Sequence, residues 1–119
     1  MNKLQDIFEK CQNTGSWFGL KVSSVTDKND FEDTPLHTVC SWGELQSAKV
    51  LLDAGADVNA KGDQGATPIF NAIVSGNVEL VQLLLKRGAS KKHKIFGNTS
   101  VQDYAKNLGV GEDILELLK

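Results

Sequence analysis

The sequence predicts an all-α solenoid of stacked helix–turn–helix units that carry extended hairpin fingers, and three observations predict this fold class. Residues that typically begin or end helices recur after 33 positions, so that Thr34 aligns with Thr67 and Gly43 aligns with Gly76. Apolar residues recur at helical spacing between these marks. The residues that follow each helix pair are poor helix formers. A fixed period of this length is the signature of a stacked repeat array.

The residues of the first complete unit explain its predicted elements. Thr34 is suited to cap a short helix that starts at Pro35, where the missing N–H of proline costs nothing. Gly43 ends that helix through a left-handed turn. A second helix with an apolar stripe ends at Gly55, and residues 56–60 are expected to be extended. Because neither helix can bury its apolar face alone, the units must stack.

Two motifs of this unit, TPLH at residues 34–37 and LLDAGADVNAK at residues 51–61, closely resemble the ankyrin repeat. The resemblance covers roughly residues 26–119. It implies antiparallel helix pairs, fingers along one edge, and protein binding by the fingers and the inner helix face. It also implies that His37 holds its loop by hydrogen bonds. Asn59 is expected to brace its finger. The alternative is that Asn59 corresponds to the asparagine that is hydroxylated in some ankyrin proteins.

The predicted domain organisation is a single ankyrin-repeat domain of about two full repeats between two degenerate capping units. The domain covers residues 1–119. An N-terminal cap occupies residues 1–25, repeats occupy 26–61 and 62–94, and a C-terminal capping repeat occupies 95–119. The cap is expected to begin with an amphipathic helix and to continue as an extended or loop segment that packs over the end of the stack.

Three departures from the repeat pattern predict local differences. Glu32 stands where the next finger has Gly65, so we expect an altered turn at the tip of the first finger. Phe70 replaces the histidine of the TPLH motif. The spacing from Gly65 to Gly97 is 32, which predicts that one residue is lost from the third finger and regained before Gly109.

Composition favours a globular, non-membrane chain. The apolar fraction is 40% and the charged fraction is 24%, both ordinary for a globular domain. No signal-peptide pattern is visible, and no apolar run approaches the length of a membrane span. We therefore expect a cytoplasmic protein with no membrane partner.

The chemically reactive residues are too scattered to predict an enzyme. His37 and His93 lie far apart, and Cys11 and Cys40 have neither metal nor disulfide spacing. His93, in a basic finger, is expected to be solvated. There is no glycine-rich phosphate loop and no catalytic grouping. We expect no catalytic residues, no metal, no cofactor and no small-molecule substrate.

Charge is divided along the chain. Residues 26–66 carry eight acidic and three basic side chains, a net charge of −5, whereas residues 86–106 carry six basic and one acidic, a net charge of +5. This division favours a partner with the opposite pattern. The alternative is that it serves solubility and helix ends. The basic run at 91–94 lacks interleaved aromatic residues, so nucleic acid is not the expected partner.

The resemblance implies a partner-binding surface on the finger tips and the exposed side of the first helix of each unit. By position, this surface comprises Asp30, Phe31, Asp33, Thr38, Ser41, Trp42, Asp63, Gln64, Ala66, Asn71, Val74, Ser75, Ile95, Phe96, Asn98, Asp103 and Lys106. Its aromatic members, Phe31, Trp42 and Phe96, are the expected anchors. The alternative is that they fold back on a neighbouring finger or on the Trp17-Phe18 segment.

These observations predict a non-enzymatic module that binds one protein partner. Because the array reads as short and capped at both ends, we expect it to act by occluding its partner, as an inhibitor or immunity protein of a toxin or enzyme. Its acidic front would suit a basic toxin or enzyme. The alternative is an adaptor or scaffold that binds a partner without inhibiting it.

Overall fold

The structure, a computed structural model, describes residues 3–119 and confirms an all-α repeat solenoid. Within these residues the helices are α1 (Lys3–Gln12), α2 (Pro35–Ser41), α3 (Leu45–Asp53), α4 (Pro68–Ser75), α5 (Val78–Lys86), α6 (Val101–Leu108) and α7 (Glu112–Leu117). Two short antiparallel strands, β1 (Lys94–Ile95) and β2 (Thr99–Ser100), form a hairpin, and 3-10 turns occur at Gly15–Trp17 and Asp63–Gly65.

The helices stack in two layers. The inner layer consists of α2, α4 and α6, and the outer layer consists of α1, α3, α5 and α7. One continuous hydrophobic core runs between the layers. Three fingers, at residues 27–33, 60–66 and 93–99, precede the inner helices. The stacking follows from the apolar stripes, because each helix buries its stripe against its neighbours rather than alone.

The helix ends form as the sequence predicts. The Thr34 side chain accepts a hydrogen bond from the His37 amide, and Thr34 N–H donates to His37 Nδ1, so the two residues form a capping box at the start of α2. Gly43 and Gly76 have φ angles of +72° and +74° where α2 and α4 end. Thr34 therefore fixes the junction of the first finger with α2, and the two glycines fix the turns from α2 to α3 and from α4 to α5.

The N-terminal segment closes the first end of the stack. The predicted helix is confirmed from Lys3, and its first two residues lie outside the described residues. After α1 the chain forms loops and a 3-10 turn, as expected. Trp17 is fully buried, and its Nε1–H donates to Thr38 Oγ1 at 2.9 Å. Trp17 therefore covers the face of α2 that would otherwise lack a preceding repeat.

The tip of the first finger differs from that of the second, as expected, because Gln64 has a φ angle of +56° whereas Phe31, at the equivalent position, is not left-handed. The two tips share the left-handed residue that follows. Glu32 has a φ angle of +71° and Gly65 one of +79°. Asn29 N–H donates to Asp33 O at 2.9 Å, and Gly62 N–H donates to Ala66 O at 2.7 Å. The finger thus imposes a left-handed conformation on Glu32, although such a conformation is unfavourable for a residue with a Cβ.

Candidate functional site

A concave groove lies between the fingers and the inner helices. Its volume is about 270 Å³. Its lining comes from all three fingers and from the inner helices α2, α4 and α6. The lining residues are Asp33, Ser41, Asp63, Gln64, Ala66, Phe70, Asn71, Val74, Ile95, Phe96 and Tyr104. The groove is therefore shared by three consecutive repeat units.

Nine of the seventeen residues expected to bind a partner line this groove, and eight lie outside it. The nine are Asp33, Ser41, Asp63, Gln64, Ala66, Asn71, Val74, Ile95 and Phe96. The eight are Asp30, Phe31, Thr38, Trp42, Ser75, Asn98, Asp103 and Lys106. The structure thus brings about half of the expected surface together in one concavity.

Three residues of the expected surface are more enclosed than their positions indicate. Thr38 is only 7% exposed, because the Trp17 side chain covers it and donates to its hydroxyl. Ile95 is 5% exposed and forms part of the groove floor. Trp42 is half-buried, and the Lys10 ammonium lies 5.2 Å from its ring centroid. Thr38 and Trp42 therefore belong to the packing of the N-terminal segment, and we leave them out of the proposed surface.

Three of the large exposed apolar side chains lie on the fingers and on α4. Phe31 is 54% exposed, Val74 is 55% exposed and Phe96 is 63% exposed. Phe96 also has a φ angle of +51°, the left-handed region, which is uncommon for a bulky residue. Phe31 and Phe96 therefore project from the finger tips rather than folding back completely on a neighbouring finger.

Phe70 and Tyr104 line the groove and were missed by the sequence analysis. Their ring centroids are 5.3 Å apart at an interplanar angle of 73°, an edge-to-face contact. Tyr104 was missed because the expected surface residues of the third unit, Asp103 and Lys106, follow Asn71 and Val74 by 32 residues, the spacing of the finger glycines. Ser100, not Thr99, caps α6 by accepting from the Asp103 amide at 3.0 Å. Tyr104 lies 66 residues, or two periods, after Thr38. Tyr104 therefore occupies the groove-facing helix position that was expected for Asp103.

The residue lost from the third finger is regained before Gly109, as predicted. The spacing from Gly65 to Gly97 is 32, but the caps Thr67 and Ser100 are 33 apart. The extra residue lies between the finger tip and the start of α6. A shift of 33 applied to Val74 places Asn107, rather than Lys106, at the equivalent helix position.

His37 joins the first two units through a buried hydrogen-bond network. Its Nε2 donates to the carbonyl oxygen of Ala66 at 2.9 Å, and its Nδ1 accepts from Thr34. Burial lowers the pKa of His37, which favours the neutral ring that this donor and acceptor pattern requires. The structural role that the resemblance implied for His37 is confirmed, and Ala66 is thereby fixed at the groove.

His93 performs a related task at the next interface, so the expectation that it is solvated was wrong. It is half-buried, and its Nε2 donates to the carbonyl oxygen of Gly65 at 2.7 Å. Its ring contacts Phe70 edge-on, with centroids 6.3 Å apart. Since Phe70 has no ring nitrogen, Thr67 Oγ1 is buried with no hydrogen-bond partner within residues 3–119. The third finger therefore supplies the imidazole that α4 lacks.

Asn59 connects its finger to the following unit. Its Nδ2 donates to Gly88 O at 3.0 Å, and its Oδ1 accepts from Ser90 N–H at 2.9 Å. These bonds use both ends of the side-chain amide. The bracing role expected for Asn59 accounts for this arrangement.

The described residues hold no reactive cluster. Across residues 3–119 no group of three or more histidine, cysteine or acidic side chains is placed to hold a metal ion. Burial raises the pKa of the Cys11 thiol to about 11 and also raises the pKa of Cys40. Both cysteines therefore behave as core residues. No helix within this part of the chain is long and apolar enough to cross a membrane.

Comparisons with known proteins agree with the geometry. A profile of the family described as "Ankyrin repeats (3 copies)" matches residues 9–95. The chain is 36% identical over 78 residues to ADP-ribosylation factor GTPase-activating protein AGD4 of Arabidopsis thaliana, covering 66% of this chain and 10% of that protein. It is 46% identical over 52 residues to Rabankyrin-5 of Homo sapiens, covering 44% of this chain and 4% of that protein.

A bacterial relative is similar over a comparable stretch. The chain is 41% identical over 59 residues to a putative ankyrin repeat protein of Rickettsia bellii, covering 49% of this chain and 25% of that protein. The chain thus spans a quarter or less of each of these relatives. Ankyrin repeats are protein–protein interaction modules and are generally not enzymes. The chain belongs to the ankyrin-repeat family.

Proposed function

We propose that this chain binds one protein partner in the concave groove. The observation that carries the proposal is the placement of two exposed apolar side chains, Val74 and Phe96, on a groove shared by three repeat units. Exposed apolar and aromatic residues beside a concavity are typical anchors of protein interfaces. The rest of the surface then contributes complementarity rather than most of the binding energy.

A capture experiment with matched variants tests this proposal. The chain is used to capture proteins from a lysate of its source, alongside a Val74→Ala/Phe96→Ala variant and a Phe18→Ala/Leu108→Ala control. The control also removes two exposed apolar side chains, 87% and 47% exposed, that do not line the groove. Thermal melting of all three proteins confirms that each is folded.

The two variants are expected to differ in their affinity for the captured partner. Loss of one anchor costs about 2 kcal/mol, so the groove variant, which loses two, should bind the captured partner at least about thirtyfold more weakly. The control should bind it as the intact chain does. Equal binding by the groove variant and the intact chain would place the interface elsewhere and refute the proposal.

We further propose that binding inhibits the partner, as expected of an inhibitor or immunity protein of a toxin or enzyme. The acidic charge of the first two fingers supports a basic partner. The alternative is an adaptor or scaffold. The two differ in one outcome: saturating amounts of the chain abolish the partner's activity if it is an inhibitor and leave that activity unchanged if it is a scaffold.

A further inference from the structure

The groove has two walls of different chemistry. The carboxylates of Asp33 and Asp63 form one wall, and within residues 3–119 they are the charged side chains of the lining. Phe70, Val74 and Phe96 contribute the apolar wall. The cations of the third unit do not line the groove. A single occupant would therefore meet both negative charge and apolar surface.

The two carboxylates retain unused hydrogen-bonding capacity. Asp33 Oδ1 accepts from the Asp63 amide at 2.9 Å. No donor among the described residues bonds to Asp33 Oδ2 or to the carboxylate of Asp63. Neither aspartate forms a salt bridge within this part of the chain, whereas Glu32 in the same finger pairs with Lys28 at 3.7 Å. The acidic wall is thus open to a cation from outside.

We propose that the groove binds an extended segment of the partner that places an arginine or lysine against Asp33 and Asp63 and an adjacent apolar side chain against Phe70, Val74 and Phe96. This inference rests on the proposed function and specifies the chemistry of the partner. Arginine suits the site better than lysine, because its planar guanidinium can donate to both carboxylates at once.

The dimensions of the groove favour side chains of a polypeptide over a small molecule. Its volume of about 270 Å³ is slightly below the range of roughly 300–1,000 Å³ for ligand pockets. Such a groove holds a few side chains while the rest of the segment lies outside. Repulsion adds to the preference for a cation. An acidic side chain of the partner next to Asp63 would be repelled, and the described lining holds no cation to compensate it.

Selection from a random peptide library displayed on phage tests the inference directly. The library is selected against the intact chain, Asp63→Asn, Val74→Ala/Phe96→Ala and the control Glu79→Gln. Glu79 is exposed in the outer helix α5, so its substitution removes the same charge away from the groove. Asparagine keeps the shape of Asp63. EDTA is present throughout, so that no divalent metal ion occupies the carboxylates.

The expected result is enrichment of arginine or lysine at a constant distance from an apolar residue. Against Asp63→Asn the cationic preference should disappear while the apolar preference remains. One enriched peptide, synthesised and measured by calorimetry, should bind Asp63→Asn about tenfold more weakly and Glu79→Gln with unchanged affinity. Its affinity for the intact chain should fall as salt is added.

Four outcomes would overturn the inference. One is enrichment without a cation, and the second is an affinity unchanged by Asp63→Asn. The third is an equal loss in Glu79→Gln, which would indicate a general field rather than a site. The fourth is enrichment of no peptide at all. If peptides without a cation still require Val74 and Phe96, the inference fails and the groove remains a binding surface. If they bind independently of both residues, the proposed function fails as well.

Discussion

The left-handed turn at the finger tip allows a matched test of backbone strain. Glu32 and Gly65 occupy equivalent positions 33 residues apart, with φ angles of +71° and +79°. One position carries a Cβ and the other does not. We predict that Glu32→Gly raises the free energy of unfolding and that Gly65→Ala lowers it, because only glycine adopts this conformation without a steric penalty.

The magnitudes follow from opposing contributions. A residue with a Cβ in the left-handed region costs about 1–2 kcal/mol. Glycine has more conformational freedom in the unfolded chain, which lowers the free energy of unfolding by about 0.5–1 kcal/mol and so offsets part of the relieved strain. Glu32→Gly also removes the exposed ion pair with Lys28, which contributes at most about 0.5 kcal/mol. The expected net gain is therefore about 0.5 kcal/mol. Gly65→Ala should cost about 1 kcal/mol, since no atom lies within 4 Å of an added Cβ and crowding does not contribute.

Urea denaturation of the intact chain and the two variants measures both changes. Glu32→Ala is the matched control, because it removes the ion pair but keeps a Cβ, so it should give no stabilisation. The reasoning is refuted if Glu32→Gly destabilises the chain or if Gly65→Ala leaves the free energy of unfolding unchanged. Either result would mean that the turn relaxes to a different conformation.

Three further predictions concern buried groups. Trp17→Phe, which removes the donor to Thr38, should lower the free energy of unfolding by about 1–2 kcal/mol, and a double-mutant cycle with Thr38→Val should show coupling. Burial lowers the pKa of His37 below 6.5, so the unfolded chain binds a proton first as pH falls. In a His93→Gln background, stability should be maximal above pH 6.5 and fall below it by up to about 1.4 kcal/mol per pH unit, and His37→Gln should abolish this slope. Cys11, whose pKa is about 11, should react with a thiol reagent at pH 8 only after urea unfolds the chain.

The repeat pattern predicts the helices well because their signals are local. Thr34, Pro35 and Gly43 each determine a helix end through their own backbone chemistry. The packing position of the Trp17 side chain has no such local signal, because it depends on which face of α2 is left uncovered. A sequence period cannot specify a contact that no other unit repeats. The indole of Trp17 meets the hydroxyl of Thr38 because, within residues 3–119, the segment that precedes α2 beside this face forms a 3-10 turn rather than an inner helix.

The surface residues of the third unit were misaligned for a related reason. Thr99 and Ser100 are both suitable N-caps, so local chemistry does not choose between them. The third finger decides, because β1 pairs Ile95 with Thr99 and Lys94 with Ser100. The helix then begins at Val101 with Ser100 as its cap. Tyr104 consequently lines the groove. The 33-residue period applied from Thr38 would have indicated this position, but the 32-residue spacing of the finger glycines gave a competing alignment.

The departures of the second and third units from the repeat pattern are what create the apolar wall of the groove. A histidine at position 70 would hold its own loop, as His37 does, and would leave the wall polar. With Phe70 in place, the ring packs edge-to-face on Tyr104, and the loop is held instead by His93 from the third finger. The cost is the unpaired hydroxyl of Thr67. The apolar wall therefore depends on two exchanges between neighbouring units, Phe70 for a histidine in α4 and His93 in the third finger for the ring nitrogen that Phe70 lacks.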